Sequence, residues 1–344
     1  MFSDFCDVLM SEKMKSNYIL GSICLLCLTS CVQQPVILPK PIVQDCHSQP
    51  LTITRFLKSV YAIAITPDGK SIFSTNADGS VKKWELPSGK FVKSWAAHKS
   101  LIYGMAISHD NQYLVTGSDD RTIKLWHLAT GRLIHHLQGH QNTVYGVSIS
   151  QNSQTIASAS FDGTIRLWSL RTGKLIRVIQ AHPKYIYSVA FSPDDTILAS
   201  ASEDHQIKLW DVATGKLIRT LSGHTAPITS LAFHPQNNLL VSGSSDNTVK
   251  IWDWATGTAR KSLLGHQSAI YSVAIDPNGT TIASSGADNT IKLWNAQTGE
   301  LIDTLTGHQN LVISLAFSPD GKTFGSGSLD GTIKIWQTTC ELKK

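Results

Sequence analysis

This chain has little charge, no clustered basic block, no long apolar run and no cysteine across most of its length. Charged residues are 16% of the 344, and the formal net charge is only +5. Lysines and arginines are scattered, whereas a nucleic-acid surface needs a basic stripe, so nucleic acid is not the expected partner. The apolar run from Tyr18 to Leu28 is too short to cross a bilayer comfortably. Between Cys46 and Cys340 there is no cysteine, and at 42% apolar composition the chain needs no such staple to bury a core.

What is present is repetition. The stretch 223–253, GHTAPITSLAFHPQNNLLVSGSSDNTVKIWD, opens on Gly-His and closes on Trp252-Asp253. Trp84, Trp126, Trp168, Trp210, Trp252, Trp294 and Trp336 stand 42 residues apart without a slip, and a Gly-His or Ala-His keeps the same step. Self-similarity at such a period marks a repeat architecture and must be read before any local motif. On these residues, over 49–344, the chain resembles the WD40-repeat (β-transducin-like) family with seven repeats. Only Asp211 and Asp253 complete the literal Trp-Asp pair; the other repeats carry Glu85, His127, Ser169, Asn295 and Gln337.

Within a repeat, alternation of apolar with small or polar residues predicts strands at Ile228 to Phe233, Leu239 to Ser242 and Val249 to Trp252. Turn signals such as Pro277-Asn278-Gly279 separate them. A fourth strand is expected after each Trp, as at Lys216 to Leu221. The expectation is an all-β, seven-bladed β-propeller with four antiparallel strands per blade. The last repeat stops after three strands, and an open edge invites pairing with other chains. Leu51 to Thr54 falls at the missing phase, so an N-terminal strand is expected to complete the last blade.

The resemblance implies a hydrogen-bonded tetrad in six blades: His98, Thr116, Asp120 and Trp126; His140, Ser158, Asp162 and Trp168; His182, Ser200, Asp204 and Trp210. The remaining three are His224, Ser242, Asp246 and Trp252; His266, Ser284, Asp288 and Trp294; and His308, Ser326, Asp330 and Trp336. A buried indole and imidazole need partners, and a chain of them fixes strand order. Ser, His and Asp together suggest a hydrolase triad, but a set that occurs six times is structural cement, and no catalytic residue is expected. Blade one departs, with Phe56 at the His position beside Ser74, Asp78 and Trp84. Its Asp78 is expected to keep turn contacts only. The other histidines (His47, His109, His127, His135, His136, His205, His234) share no phase and no metal-ligand spacing, so neither metal nor cofactor is expected.

Propellers of this family present a flat face that commonly binds proteins or peptides. The phase five residues after each His is Tyr61, Tyr103, Tyr145, Tyr187, Thr229, Tyr271 and Ile313. Neighbouring phases add Tyr185 and Phe161, with Asp119 and Glu203. Tyrosine gives large contact area at low entropic cost, so the rim Tyr61, Tyr103, Tyr145, Tyr185, Tyr187, Tyr271 and Phe161 is the expected protein-binding surface. The alternative is ordinary packing at the channel mouth.

Ahead of the repeats, Lys15 precedes the apolar run, which ends in Leu28-Thr29-Ser30-Cys31. This resembles the lipobox of bacterial lipoproteins and implies a leader over 1–30, lipidation at Cys31 and a Pro-containing tether over 31–48. Asp4, Asp7 and Glu12 make a poor start for a leader, so translation is expected to begin at Met14 or Met10. Cys46 and Cys340 lie seven repeat steps apart. In a closed ring they share one turn, and export would allow a Cys46–Cys340 disulfide, contributing about 5 kcal/mol at most; two free thiols are the alternative. The expected function is a non-enzymatic protein-interaction scaffold, a monomeric propeller exported and lipid-anchored at the bacterial cell envelope. A channel-based small-molecule binder or enzyme is one rival, and a cytoplasmic scaffold another.

Overall fold

The computed structural model describes residues 50–54 and 58–338. They form 28 strands in seven four-stranded antiparallel sheets, with no helix among the described residues. Blades 1 to 6 span residues 60–96, 102–137, 144–180, 186–222, 228–264 and 270–305. Blade 7 takes its first three strands from 312–337 and its fourth from Leu51–Ile53. In blade 5 the strands are Ile228–Phe233, Leu239–Ser244, Thr248–Asp253 and Thr258–Leu264. The expected strands are therefore present, lengthened by one or two residues where the ladder continues past the apolar pattern. In blade 4 the fourth strand begins at Leu217 rather than Lys216.

Each blade buries both faces against its neighbours, which explains the small residues of the second strand. Ser242, Ser244 and their counterparts are buried, and a Cβ at Gly243 would stand 2.6 Å from a methyl of Ile270 in the next blade. The core is correspondingly divided into seven apolar clusters, one at each blade–blade interface. Trp252 of blade 5, for example, packs on Ala199, Ile207 and Leu209 of blade 4. A buried Trp removes on the order of 200 Å² from water, worth about 5 kcal/mol relative to an exposed ring.

The ring closes as expected. Leu51, Thr52 and Ile53 pair antiparallel with Ile335, Lys334 and Ile333. Ile53 joins Val60, Ile63, Ile72 and Trp84 in the cluster between blades 7 and 1. Thr54, expected in this strand, lies just past its end. Cys31, Cys46, Cys340 and Phe56, with the leader and tether, lie outside the described residues.

Antiparallel order puts the turns between second and third strands, and the loops joining blades, at one end of the ring, here the upper face. The turns between first and second strands, and between third and fourth, lie at the lower face. Around the outside, fourth-strand donors reach carbonyls of the following blade: Lys93 to Ala129 (2.7 Å), His135 to Arg171 (3.1 Å), Arg177 to Ala213 (2.9 Å), Arg219 to Ala255 (3.1 Å) and Lys261 to Thr298 (2.5 Å). These cross-blade ties recur at the repeat period, a signal present in the sequence but overlooked there.

Candidate functional site

All six tetrads form. The His Nδ1–Asp Oδ2 distances are 2.7–2.9 Å. His Nε2 lies 2.7–2.8 Å from the Ser or Thr hydroxyl. The Trp Nε1–H donates to that hydroxyl over 2.8–3.0 Å. One donor direction satisfies every atom: indole N–H to hydroxyl oxygen, hydroxyl to Nε2, Nδ1–H to carboxylate. That arrangement requires neutral imidazole. Burial lowers the pKa of His98 and of His308, outweighing the pull of Asp120 and of Asp330. Burial works to raise Asp120, Asp162, Asp246 and Asp288, but hydrogen bonds, led by the paired histidine, hold them far below the usual carboxylate range. Each tetrad Ser or Thr is fully buried, its proton donated to an imidazole already spent on a half-buried carboxylate and its oxygen taken by an indole.

Blade 1 corrects the expectation for Asp78. Trp84 still donates to Ser74 (3.1 Å), and Asp78 accepts from the backbone and hydroxyl of Ser80. It also pairs with Lys82 at 3.5 Å. The Lys82 ammonium turns inward to donate to Asn76 (3.1 Å) and Ser80 (2.9 Å). This blade is thus tied by a lysine-centred cluster in addition to its apolar packing.

The upper rim has a geometry of its own. In all seven blades the register slips at the top of the innermost strand, and the residue left unpaired is Tyr61, Tyr103, Tyr145, Tyr187, Thr229, Tyr271 or Ile313. Each rim residue is the extra residue of a β-bulge, a device that re-aims a side chain out of the strand's alternation. Four successive bulges carry tyrosine, and their rings meet. Tyr61 contacts Tyr103 edge-on (5.5 Å), Tyr103 stacks on Tyr145 (4.8 Å), and Tyr145 stacks on Phe161 (5.4 Å) and meets Tyr187 edge-on (5.4 Å). Phe161 stacks on Tyr185 at 4.5 Å. Six of the seven expected rim residues form one tract over blades 1 to 4.

Tyr271 makes no ring contact with it, because Thr229 stands between. The Thr229 hydroxyl is spent on the Ile270 (2.6 Å) and Gly243 (3.0 Å) carbonyls. Burial raises the phenols of Tyr103, Tyr145 and Tyr187, and the charges of Asp119 and Glu203 raise Tyr103 and Tyr187 further. Asp119 is held by Ser100 (2.9 Å) and Thr143 (2.6 Å). Tyr185, at 42% exposure, is the most open ring of the tract. Among the described residues no three His, Cys, Asp or Glu converge as a metal site.

Seven four-stranded blades, six of them locked by Trp–Ser/Thr–His–Asp tetrads, define a β-propeller of WD40 type. The chain belongs to the family described as TEP-1 second beta-propeller, whose family model matches residues 104–303. The WD domain, G-beta repeat family matches residues 50–85 and 299–337. No curated protein matches this chain. WD40 propellers are commonly scaffolds for protein interaction and typically non-enzymatic.

Proposed function

We propose that this propeller is a protein-interaction scaffold that takes a partner segment across the aromatic tract of its upper face. The observation that carries the reading is the run of six touching rings over four adjacent blades. A partner laid on the tract desolvates rigid rings at small entropic cost, which is how aromatic anchors dominate interfaces. A photo-crosslinking residue in place of Tyr185 should give a discrete protein adduct in cells. Tyr103→Ala with Tyr187→Ala should abolish the adduct while leaving the thermal transition within a few degrees of wild type. Adducts only from a probe on the outer wall, at Leu217, would overturn the assignment of the face.

The scaffold works, on this proposal, exported at the bacterial cell envelope and anchored by lipid on Cys31, with the Cys46–Cys340 disulfide closing the ring. Support for the anchor is the sequence from Lys15 to Cys31. Support for the disulfide is the pairing of Leu51–Ile53 with Ile333–Ile335, which leaves few residues between each paired segment and its cysteine. Intact mass of the protein from native membranes tests both. A chain beginning at Cys31 with acyl chains, two protons heavier on reduction, is the expected result, and an unlipidated chain beginning at Met1, Met10 or Met14 overturns the anchor.

A further inference from the structure

The lower face carries grooves between neighbouring blades, and repetition makes them comparable position by position. One groove, of about 500 Å³, lies between blades 7 and 1 and holds two carboxylates, Asp320 and Asp68. Another, of about 460 Å³, lies between blades 5 and 6, where the same two repeat positions are the carboxamides Gln236 and Asn278. At this turn position the chain carries Asp68, Asp110, Asp194 and Asp320, with Asn152 in blade 3. Every other groove is therefore flanked by at least one of these carboxylates, and the groove between blades 5 and 6 by none.

A base has been gained in the same place. Ile251 pairs with Lys261 and Trp252 with Ala259, so Arg260 is the extra residue of a bulge in the fourth strand. The corresponding bulges carry Val92, Ile134, Ile176, Ile218 and Ile302. Arg260 is anchored through one terminal nitrogen to the buried carboxylate of Asp253, and its side chain stays 54% exposed. A guanidinium has five N–H donors in a planar fork, so one held by a carboxylate is fixed in orientation with donors to spare. Lys261 lines the groove too and uses one of its three N–H groups on Thr298.

The frame is rigid. His234 stands where five other blades have Ser or Thr; it accepts from the Gln236 N–H (3.1 Å) and donates across to the Gly279 carbonyl (3.0 Å). Both ring nitrogens are thereby spent on clamping the two turns that flank the groove. The clamp needs glycine at 279, where a Cβ would fall 2.2 Å from the imidazole.

We propose that the groove between blades 5 and 6 binds a small hydroxylated anion, its carboxylate or phosphate taken by Arg260 and Lys261 and its hydroxyls by Asn237, Asn278 and Gln297. Charge-assisted bonds from a pre-oriented guanidinium are the strong contacts; carboxamides supply donors and acceptors without repelling the anion. The volume is within the range of small-ligand sites, about 300–1,000 Å³.

Calorimetric titration of the full chain with glucuronate, glucose 6-phosphate and uncharged glucose tests the site. At least one anion should bind saturably, weaken as salt rises, and bind at least tenfold more tightly than glucose. Arg260→Ile and Asn278→Asp each install the residue that other blades carry, and each should weaken anion binding at least tenfold. Asn278→Asp leaves the Arg260–Asp253 pair intact, so its effect is read in a fully anchored groove. The better of the two anions identifies the head group. No saturable binding of either anion, equal binding of glucose, or indifference to both substitutions overturns the proposal.

Discussion

Ser158 holds a tetrad together from its centre. Its oxygen accepts the Trp168 indole N–H (2.9 Å) and its proton faces His140 Nε2 (2.8 Å); the serine is fully buried and the histidine nearly so. Removing the hydroxyl orphans two buried groups at about 1–3 kcal/mol each, so Ser158→Ala should cost roughly 2–4 kcal/mol in urea unfolding. Ser74 in blade 1 has the same place in its strand but, among the described residues, serves only Trp84, and Ser74→Ala should cost about 1–2 kcal/mol. Equal losses would mean that the histidine contributes nothing to the network. The tetrads were legible because four residue types recur at one step in a chain that resembles a family whose blades are tied by those four. The substitute in blade 1 was not, because Lys82, Asn76 and Asp78 become neighbours only through strand geometry, and no second blade repeats the combination.

At the scale of the strand, the bulge decides what the rim presents. The sequence phase placed Tyr61, Tyr103, Tyr145 and Tyr187 together, but a bulge has no residue-type signature of its own. The touching of their rings was therefore not legible. Spacing between inner strands matters as well. Gly104 and Gly146 follow two of the tyrosines, whereas Ser230, Ser272 and Ser314 stand at that place in blades 5 to 7. Those three accept N–H bonds from the next blade at 3.0–3.1 Å. A Cβ at Gly104 would meet the Tyr145 carbonyl oxygen at 2.8 Å, so Gly104→Ala must push the inner strands of blades 2 and 3 apart. The expected result is a loss of about 1–3 kcal/mol, a changed tyrosine signal in near-ultraviolet circular dichroism, and weaker partner capture. An unchanged tyrosine signal would show that strand spacing does not set the Tyr103–Tyr145 stack. The lower-face groove was not legible for another reason: His234 shares no phase with the other histidines, and only its departure from the Ser/Thr phase marks the place.

At the scale of the whole molecule, the closed ring was legible from the unpaired third strand of the last repeat and the spare strand before the first. Its weakest point follows from connectivity. In blades 1 to 6 a short turn ties the fourth strand to the third, so a detached strand gains little freedom. In blade 7 the fourth strand arrives from the other end of the chain, and Thr52 and Lys334, joined by a 3.0 Å bond, are 282 positions apart in sequence. Its ladder has three pairs, against five in blade 3. Closing a long loop costs more entropy than closing a short one, so with the Cys46–Cys340 pair reduced this seam should be the first interface to open. Ile53 and Ile179 occupy the same repeat position, both nearly buried, and Ile→Ala at either should cost about 2–4 kcal/mol. The two losses should differ in where they are felt. In reductant and otherwise native conditions, Ile53→Ala should speed hydrogen exchange in Ile333–Gln337 by 30-fold or more, about 2 kcal/mol of local opening, and leave Thr164–Ser169 near its wild-type rate. Ile179→Ala should speed exchange through the whole ring together, because its strand cannot leave alone. Equal exchange at the two positions in both variants would place the seam at the strength of an ordinary hairpin even without the Cys46–Cys340 bond.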